Sequence, residues 1–176
     1  AEQTLGKLIN DCENELSYLE SVLFELQSAN SNAELLEIRA ELGELGYIPR
    51  NLGNKKAKIT ASPYEFSKNG YRILVGRNNL QNDRLLKESA PDDVWLHTQK
   101  YHSSHVIIVT RGGQVRDETL LYAAQLCAYY SDGRESDKIP VDYCKRKFVK
   151  KPNKSRAGFV TYTDYKTIFV TPKKGE

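Results

Sequence analysis

Leucines recur every three or four positions along the first 26 residues, and this spacing constrains how the chain begins to fold. Apolar side chains at such intervals lie on one face of an α-helix in a near-heptad pattern. A shorter stripe follows the cap-forming residues 28–32 and ends before Gly46 and Pro49, which stop helices. The stripes comprise Leu5, Leu8, Cys12, Leu16, Leu19, Leu23 and Leu26, and then Leu35, Ile38, Leu42 and Leu45.

This pattern predicts a helical hairpin over residues 1–48. The simplest arrangement is two helices that pack only on each other. The alternative is that the hairpin forms the base of a longer coiled-coil arm, because a leucine stripe needs an apolar partner.

Charge is distributed unevenly along the chain. Residues 1–48 hold 2 Lys or Arg against 10 Asp or Glu, a net charge of −8, whereas residues 49–176 hold 24 against 13, a net charge of +11. A basic domain with an acidic arm favours a polyanionic partner for the basic part. The alternative is that the surplus lysines only increase solubility.

Residues 49–62, rich in Asn, Gly, Lys and Ser, predict a linker that ends at Ser62-Pro63. Residues 63–176 then form a separate domain, in which alternating or apolar runs predict β-strands. These strands are expected at Tyr71–Val75, at Trp95–His97 and at Val106–Val109, the last of them buried on both faces.

A helix is expected around Thr119–Tyr130, with Asp117 or Thr119 as its cap and Cys127 as a small buried residue. The run from residue 158 to 171 alternates around Thr163-Asp164, which predicts a β-hairpin. The predicted fold class is α+β: an acidic N-terminal helical hairpin (coiled-coil base), followed by a mainly antiparallel or mixed β-sheet domain with one main helix.

The cysteines argue for a reducing compartment. Cys12, Cys127 and Cys144 are odd in number, far apart and without CxxC spacing, so a disulfide framework is not expected. No apolar run approaches the roughly 20 residues that span a bilayer, and the acidic start does not resemble a signal sequence. We therefore expect a cytoplasmic protein that does not bind a membrane.

Side chains suited to binding are concentrated in residues 76–105, which contain the only Trp and all three His. The amides follow a strand and offer donors and acceptors for base edges or ribose hydroxyls, while Arg77 suits a phosphate. The alternative is a structural role, with Asn82 or Asp83 capping a helix that holds Leu85 and Leu86. The candidate RNA-binding residues here are Arg77, Asn78, Asn79, Gln81, Asn82 and Asp83.

A second candidate is the basic segment 145–156. Ammonium and guanidinium groups displace the counterions of a nucleic acid and bind it with little sequence preference. Aromatic residues among and near these charges either stack on unpaired bases or pack in the sheet, and a solvated loop is the plain alternative. The basic residues are Lys145, Arg146, Lys147, Lys150, Lys151, Lys154 and Arg156, and the aromatic ones are Tyr143, Phe148, Tyr162 and Tyr165.

Metal binding and hydrolysis are weaker interpretations. His97, His102 and His105 with Asp93 contain ligand atoms for zinc, but their spacing matches no helical His pair and no Cys accompanies them. A Ser104/His105/Asp93 triad lacks a nucleophile-elbow sequence, and adjacent residues on a strand point to opposite faces. We therefore predict no catalytic residue, no metal site and no cofactor.

An ordered series of motifs in this chain resembles the C-terminal NFACT-R domain. The family includes the bacterial RqcH proteins, also called fibronectin-binding protein A-like, and the eukaryotic NEMF and Tae proteins. The resemblance covers residues 63–172, and residues 1–48 look like the lower end of the family's coiled-coil arm. The motifs are Val75–Asp83 (VGRNNLQND), Asp93–Thr98 (DVWLHT), Ser104–Ile108 (SHVII), Ile139–Tyr143 (IPVDY), Val149–Pro152 (VKKP) and Tyr165–Val170 (YKTIFV).

The resemblance implies an RNA-binding module of a ribosome-associated quality-control factor. Such factors bind the obstructed large ribosomal subunit, recruit tRNA and support C-terminal alanine tailing of the stalled chain, while the ribosome itself forms the peptide bond. The expected partners are therefore the large subunit, ribosomal RNA and tRNA, and the motif residues Trp95, His97, Ser104 and His105 join the predicted RNA-binding set. The family's older name implies a fibronectin-binding surface adhesin as the alternative, and a metal-dependent nuclease is a third hypothesis.

Two positions depart from the family's pattern. His102-Ser103 stands where the family usually has Pro-Gly before Ser-His, and residues 84–92 are one residue shorter than usual. The first change removes both the restraint of Pro and the freedom of Gly from a turn.

Overall fold

A computed structural model describes residues 2–49 and 61–175 of the chain. Its first two helices, α1 (Glu2–Ser28) and α2 (Asn32–Glu44), form the predicted hairpin. The break lies where the cap-forming residues predict it, because Ser31 accepts a hydrogen bond from the backbone N–H of Glu34 at the start of α2. The second helix ends before Gly46, whose φ of +83° suits glycine.

The helices of the hairpin do not pack through the long leucine stripe. Their small core consists of Tyr18, Val22 and Ile38, with Ala29 and Leu42 packed against it. Leu5, Leu8, Leu16 and Leu23 are instead 55–59% exposed. The expectation that the two helices pack only on each other is wrong, because Glu34 and Glu37 of α2 also contact the domain.

The domain contains eight strands and two helices. The strands are β1 (Tyr64–Lys68), β2 (Tyr71–Val75), β3 (Val94–Thr98), β4 (Val106–Val109), β5 (Ile139–Lys145), β6 (Val149–Lys150), β7 (Thr161–Tyr162) and β8 (Lys166–Val170). The helices are α3 (Asn79–Glu88), between β2 and β3, and α4 (Asp117–Tyr129), between β4 and β5, and a 3-10 turn spans Arg146–Phe148.

Six strands form one sheet in the order β1-β2-β4-β3-β5-β8, and every neighbouring pair is antiparallel. The remaining strands, β6 and β7, pair with each other. The α+β class, the helical hairpin and the mainly antiparallel sheet are confirmed.

Apolar residues cover both faces of the sheet. On one face, Val106 and Ile108 pack in a core with α4 residues such as Ala124 and Cys127. On the other face, Ile107 packs in a core that includes Trp95 and Leu85. The prediction that β4 is buried on both faces is confirmed, and α3 is thereby fixed beside Trp95.

Two local predictions are wrong. The alternating run from residue 158 to 171 is not a hairpin, since β7 pairs with β6 and β8 pairs with β5. Alternation identifies strands, but it does not determine their partners. Helix α4 is capped by Arg116 without a side-chain hydrogen bond, and Asp117 lies in its first turn.

The predicted linker, residues 49–62, lies mostly outside the described residues. Within the part of the chain that the structure does describe, no helix combines the length and the apolar character needed to cross a bilayer.

Candidate nucleic-acid interface

Three strand ends and the start of α3 meet at one edge of the sheet. The antiparallel registers place Val75, at the end of β2, and Leu96, near the end of β3, opposite Val106. One residue beyond the Val75–Val106 pair, the Gly76 N–H donates to the His105 carbonyl at 3.0 Å. The Asn82 side-chain oxygen then accepts from the His105 N–H at 3.0 Å, which ties α3 to the same edge.

The amide-rich segment begins α3. Asn78 is extended, with φ −154° and ψ 171°, and its side-chain oxygen accepts from the Gln81 N–H at 2.9 Å. It is therefore the N-cap of the helix. The prediction that Asn82 or Asp83 caps this helix is wrong by several residues, because both lie within its helical turns.

The side chains of this segment also join the domain to the hairpin. The Glu37 carboxylate accepts from Asn78 Nδ2 at 2.7 Å and from Gln81 Nε2 at 3.1 Å. The Arg77 guanidinium forms an ion pair with Glu34 and lies 3.9 Å from the ring centre of Tyr64. These contacts hold α2 against the start of α3.

All four amide residues are buried, with Asn79 the most exposed at 6%. Asn79 Nδ2 donates to Ser21 Oγ of α1 at 3.2 Å. The observed partners of the amide side chains are protein groups, so direct RNA contact by Asn78, Asn79, Gln81 and Asn82 stays a prediction.

Two buried carboxyl groups lie in the hairpin near this contact. Burial raises the pKa of Glu25 well above its ordinary value, and repulsion from Glu41 adds to the increase. Burial also raises the pKa of Glu41, whose carboxylate accepts a hydrogen bond from the Tyr18 hydroxyl at 2.6 Å.

The basic segment folds back across α3. Asp83 Oδ1 accepts from Lys151 Nζ at 2.9 Å and from the Gly158 N–H at 3.0 Å. Lys151 Nζ also donates to the Arg156 carbonyl at 2.7 Å. Asp83 and Lys151 therefore fix the loop that follows β6, which limits their freedom to contact RNA.

Three further basic residues have partners in the protein. Lys145 pairs with Asp92 at 2.9 Å, and Arg146 Nε donates to the Leu86 carbonyl at 2.8 Å. Arg156 donates to the Tyr47 hydroxyl, and its guanidinium lies 4.7 Å from the ring centre of Tyr18.

The other three cations of the segment are Lys147, Lys150 and Lys154. All three are exposed, and none forms an ion pair with any residue in the described ranges. The alternation of β6 explains the exposure of Lys150, because the adjacent Val149 is buried in the core.

A cleft of about 800 Å³ lies between α1 and this edge of the sheet. Trp95 and His97 line it from β3, His105 from the position before β4 and Phe24 from α1, and residues 154–160 complete the wall. The Trp95 and His97 rings are parallel within 2° at 5.7 Å between centres, and the His105 ring stands edge-on to Trp95 at 5.4 Å.

Both imidazoles favour the neutral form. Burial lowers the pKa of His105 well below its ordinary value, and the nearby His97 and Lys151 lower it further. Burial likewise lowers the pKa of His97, although hydrogen bonding to the Thr98 backbone opposes the change. The cleft therefore presents aromatic faces and neutral polar atoms, with cationic residues nearby.

The structure separates the residues of the hypothetical zinc site and of the hypothetical hydrolase triad. Asp93 lies at the opposite end of β3 from His97, where it accepts from the Ala90 N–H and the Thr110 N–H at 2.8 Å each. The Ser104/His105/Asp93 triad is thus not assembled. Across residues 2–49 and 61–175, no group of three or more His, Cys, Asp or Glu side chains is arranged to hold a metal ion.

Several residues that line the cleft cannot be identified from sequence patterns. Tyr18 and Phe24 lie off the leucine stripe of α1, and nothing in their spacing relates them to strands more than 70 positions away. Ser155 and Lys100 lie in loops without a motif of their own. Tyr162, one of the aromatic residues that the sequence offers for stacking, lines the cleft with its ring centre 4.8 Å from that of Trp95.

Comparison with known proteins assigns both parts of the chain to one family. Residues 62–162 match the family model described as the NFACT protein RNA binding domain, and residues 1–61 match that of the NFACT N-terminal and middle domains. In mouse, coiled-coil domain-containing protein 25 is 29% identical over 114 residues, which are 60% of this chain and 55% of that protein.

Longer bacterial proteins are more similar. The Rqc2 homolog RqcH of Bacillus subtilis is 41% identical over 91% of this chain and 28% of its own length, and that of Streptococcus suis is 41% identical over 96% and 30%. The chain thus spans less than a third of these curated relatives. The solved C-terminal part of the fibronectin/fibrinogen-binding protein from Streptococcus suis is 39% identical, with a TM-score of 0.89 over 98% of this chain and 69% of that one. The chain therefore belongs to the NFACT protein family, and its residues 62–162 correspond to the family's RNA-binding domain.

Proposed function

We propose that this chain is an RNA-binding module of a ribosome-associated quality-control factor. The observation that carries the proposal is a set of three exposed lysines, Lys147, Lys150 and Lys154, that form no ion pair with the described residues and lie in a region that matches an RNA-binding family. The names and similarity of the RqcH relatives support the assignment to ribosome quality control.

The lysines suit a phosphate backbone. An ammonium group without a carboxylate partner is available to displace counterions from RNA, whereas Lys145 and Lys151 must first leave Asp92 and Asp83. The proposed footprint is therefore narrower than the seven cations of the basic segment. It runs from the 3-10 turn through β6 to the rim of the cleft, where Lys154 lies.

The test is binding of RNA by a double charge reversal, Lys150→Glu with Lys154→Glu, measured over a series of salt concentrations. We expect weaker binding to purified large ribosomal subunits. We also expect the slope of log K against log salt concentration to be shallower by roughly 1.4 to 1.8, since each lost phosphate contact contributes about 0.7 to 0.9.

Lys7→Glu with Lys138→Glu is the matched control, because both lysines are exposed and the change in net charge is identical. If the control weakens binding as much as the test variant, net charge alone explains the affinity. Unchanged binding by the test variant would exclude the proposed footprint.

We further propose that the RNA belongs to the large subunit or to tRNA, that the protein acts in the cytoplasm, and that it supports alanine tailing without a catalytic group of its own. Binding to large subunits that carry peptidyl-tRNA, to empty large subunits and to free tRNA tests these points. A preference for the obstructed subunit is expected. Equal binding to any RNA of the same length would contradict the ribosomal assignment.

The second candidate is fibronectin binding at the cell surface. It is favoured by the similarity to the fibronectin/fibrinogen-binding protein fragment. A saturable interaction with fibronectin that persists at physiological salt, together with detection on intact cells, would support it. Loss of binding as salt increases would instead indicate non-specific attraction to a basic surface.

A further inference from the structure

Unpartnered polar atoms are concentrated in the cleft. In the described part of the chain, six buried side-chain nitrogen or oxygen atoms have no hydrogen-bond partner, and five of them belong to residues that line the cleft. Buried polar groups in proteins almost always have a partner, so their concentration in one place points to a polar ligand. The five atoms are Glu25 Oε2, Arg77 Nε, Trp95 Nε1, His105 Nδ1 and Ser155 Oγ.

Two of these atoms belong to neighbouring rings, those of Trp95 and His105, whose centres lie 5.4 Å apart. The indole N–H of Trp95 can only donate. Within the described residues His105 Nδ1 has no partner, and a ring nitrogen of a neutral imidazole donates or accepts according to the tautomer. Trp95 is 0% exposed and His105 is 1% exposed, so neither atom is satisfied by the open surface.

An indole N–H and an imidazole nitrogen suit the mixed donors and acceptors at the edge of a nucleobase, and the remaining walls suit the rest of a nucleotide. Phe24, His97 and Tyr162 offer aromatic surface for stacking. Lys100 and Lys154 also line the cleft and provide positive charge for a phosphate. The volume of about 800 Å³ lies in the ordinary range for small-ligand sites.

We propose that this cleft receives one unpaired nucleotide, with the base against Trp95 and His105 and the phosphate near Lys100 and Lys154. The inference rests on the proposed RNA-binding function and assigns to it a preference for unpaired over duplex RNA. An unpaired position in RNA and a free nucleotide present the same chemistry, and the experiment distinguishes them.

Trp95 provides the measurement, because it is the only tryptophan in the chain. Its fluorescence is followed while the protein is titrated with single-stranded RNA decamers, with an RNA duplex, with decamers of abasic ribose phosphate, and with each nucleoside monophosphate. We expect saturable changes in fluorescence with intact single strands and none with the duplex or the abasic decamers. Affinity for the abasic decamers should be lower by roughly 5- to 150-fold, the range for loss of one base–aromatic stack.

Phe24→Ala tests the wall of the cleft, and Leu23→Ala is its matched control because Leu23 is 55% exposed on α1 and does not line the cleft. The first change should reduce affinity for intact decamers and leave affinity for abasic decamers unchanged, and the second should alter neither. Far-ultraviolet circular dichroism verifies that both variants fold, and the abasic comparison needs no variant at all.

The outcomes separate this inference from the proposed function. Equal binding of intact and abasic decamers, with unchanged fluorescence of Trp95, would overturn the nucleotide site while RNA binding by the lysines stands. A fluorescence response to nucleoside monophosphates without binding of any RNA would support the site and contradict the proposed function. Binding of neither ligand would overturn both.

Discussion

Glu37 Oε2 in the hairpin lies 2.7 Å from Asn78 Nδ2 and accepts its hydrogen bond, so one carboxylate holds the residue that begins α3. The same carboxylate accepts from Gln81 Nε2 at 3.1 Å, and its other oxygen accepts from the Ala61 N–H at 3.0 Å. The contact joins three segments that are distant in sequence, and the side chain of Glu37 is only 2% exposed.

Replacing this carboxylate should destabilise the protein strongly. Glu37→Ala removes the acceptor of three donors, of which Gln81 Nε2 keeps a second acceptor in the Ala61 carbonyl at 3.3 Å. We expect a decrease of about 3 kcal/mol in the free energy of unfolding, since each unsatisfied buried group costs about 1–3 kcal/mol and such costs do not add fully. Urea denaturation followed by circular dichroism measures it. Glu13→Ala, on the exposed side of α1, is the control and should change stability by less than about 0.5 kcal/mol. A decrease below 1 kcal/mol for Glu37→Ala would contradict the role assigned to this contact.

Glu25→Gln should stabilise the protein at neutral pH. The pKa of Glu25 is raised by burial, so the folded state binds its proton more tightly than the unfolded state and stability decreases as pH rises above about 4.5. The stability advantage of the variant should therefore be small below this pH and should grow by about 1.4 kcal/mol per pH unit until the raised pKa is passed.

Urea denaturation of both proteins at several pH values between 4 and 8 gives this difference. His97 and His105 have lowered pKa values, so both proteins lose stability as pH falls below 6.5, and this loss cancels in the comparison. Glu13→Gln is the control. A difference between wild type and Glu25→Gln that does not vary with pH would show that Glu25 has an ordinary pKa.

The position of the basic loop should depend on Gly158. Its φ is +78°, and an added Cβ would lie 2.0 Å from Asn79 Oδ1. Gly112 has a φ of +81°, but an added Cβ there would meet no described atom within 4 Å apart from its chain neighbours. Both Gly→Ala changes introduce backbone strain of roughly 1–3 kcal/mol. Only Gly158→Ala adds a collision, which should lower stability by about 2 kcal/mol more than Gly112→Ala does. Thermal unfolding measures the difference, and equal effects would mean that the loop does not lie on α3.

One thiol of three should react in the folded protein. Burial raises the pKa of Cys127 to about 12 and that of Cys144 to about 11, whereas Cys12 is exposed on α1. A colourimetric thiol reagent at pH 8 should therefore modify one cysteine quickly and all three after denaturation. Cys12→Ser should abolish the fast reaction. Rapid modification of two or more native thiols would contradict the packing of the sheet.

Much of the fold follows from local patterns. The break at residues 28–32, the strand Tyr71–Val75 and the buried strand Val106–Val109 are all where periodicity predicts them. The hairpin of β1 and β2 carries an equally local signal. Asn69-Gly70, with φ values of +50° and +82°, separates two short alternating runs.

The candidate site is less predictable, because its contacts are not local. The amide-rich segment has the composition of a binding loop, yet its composition does not reveal that acidic residues more than 40 positions earlier provide the partners of Arg77 and Asn78. Likewise, the seven cations of residues 145–156 are equivalent in sequence. Only the fold distinguishes Lys151, which is held by Asp83, from Lys150, which faces outward.

The contact of Arg156 with Tyr18 and Tyr47 has a mechanical consequence. Arg156 lies two positions from Lys154, and the loop that contains both contacts the helical hairpin on one side and α3 on the other. A tilt of the hairpin would therefore move the loop and its positive charge, and would change the width of the cleft beside Trp95. A force applied to the hairpin would in this way reach Lys154, one of the three lysines of the proposed RNA footprint.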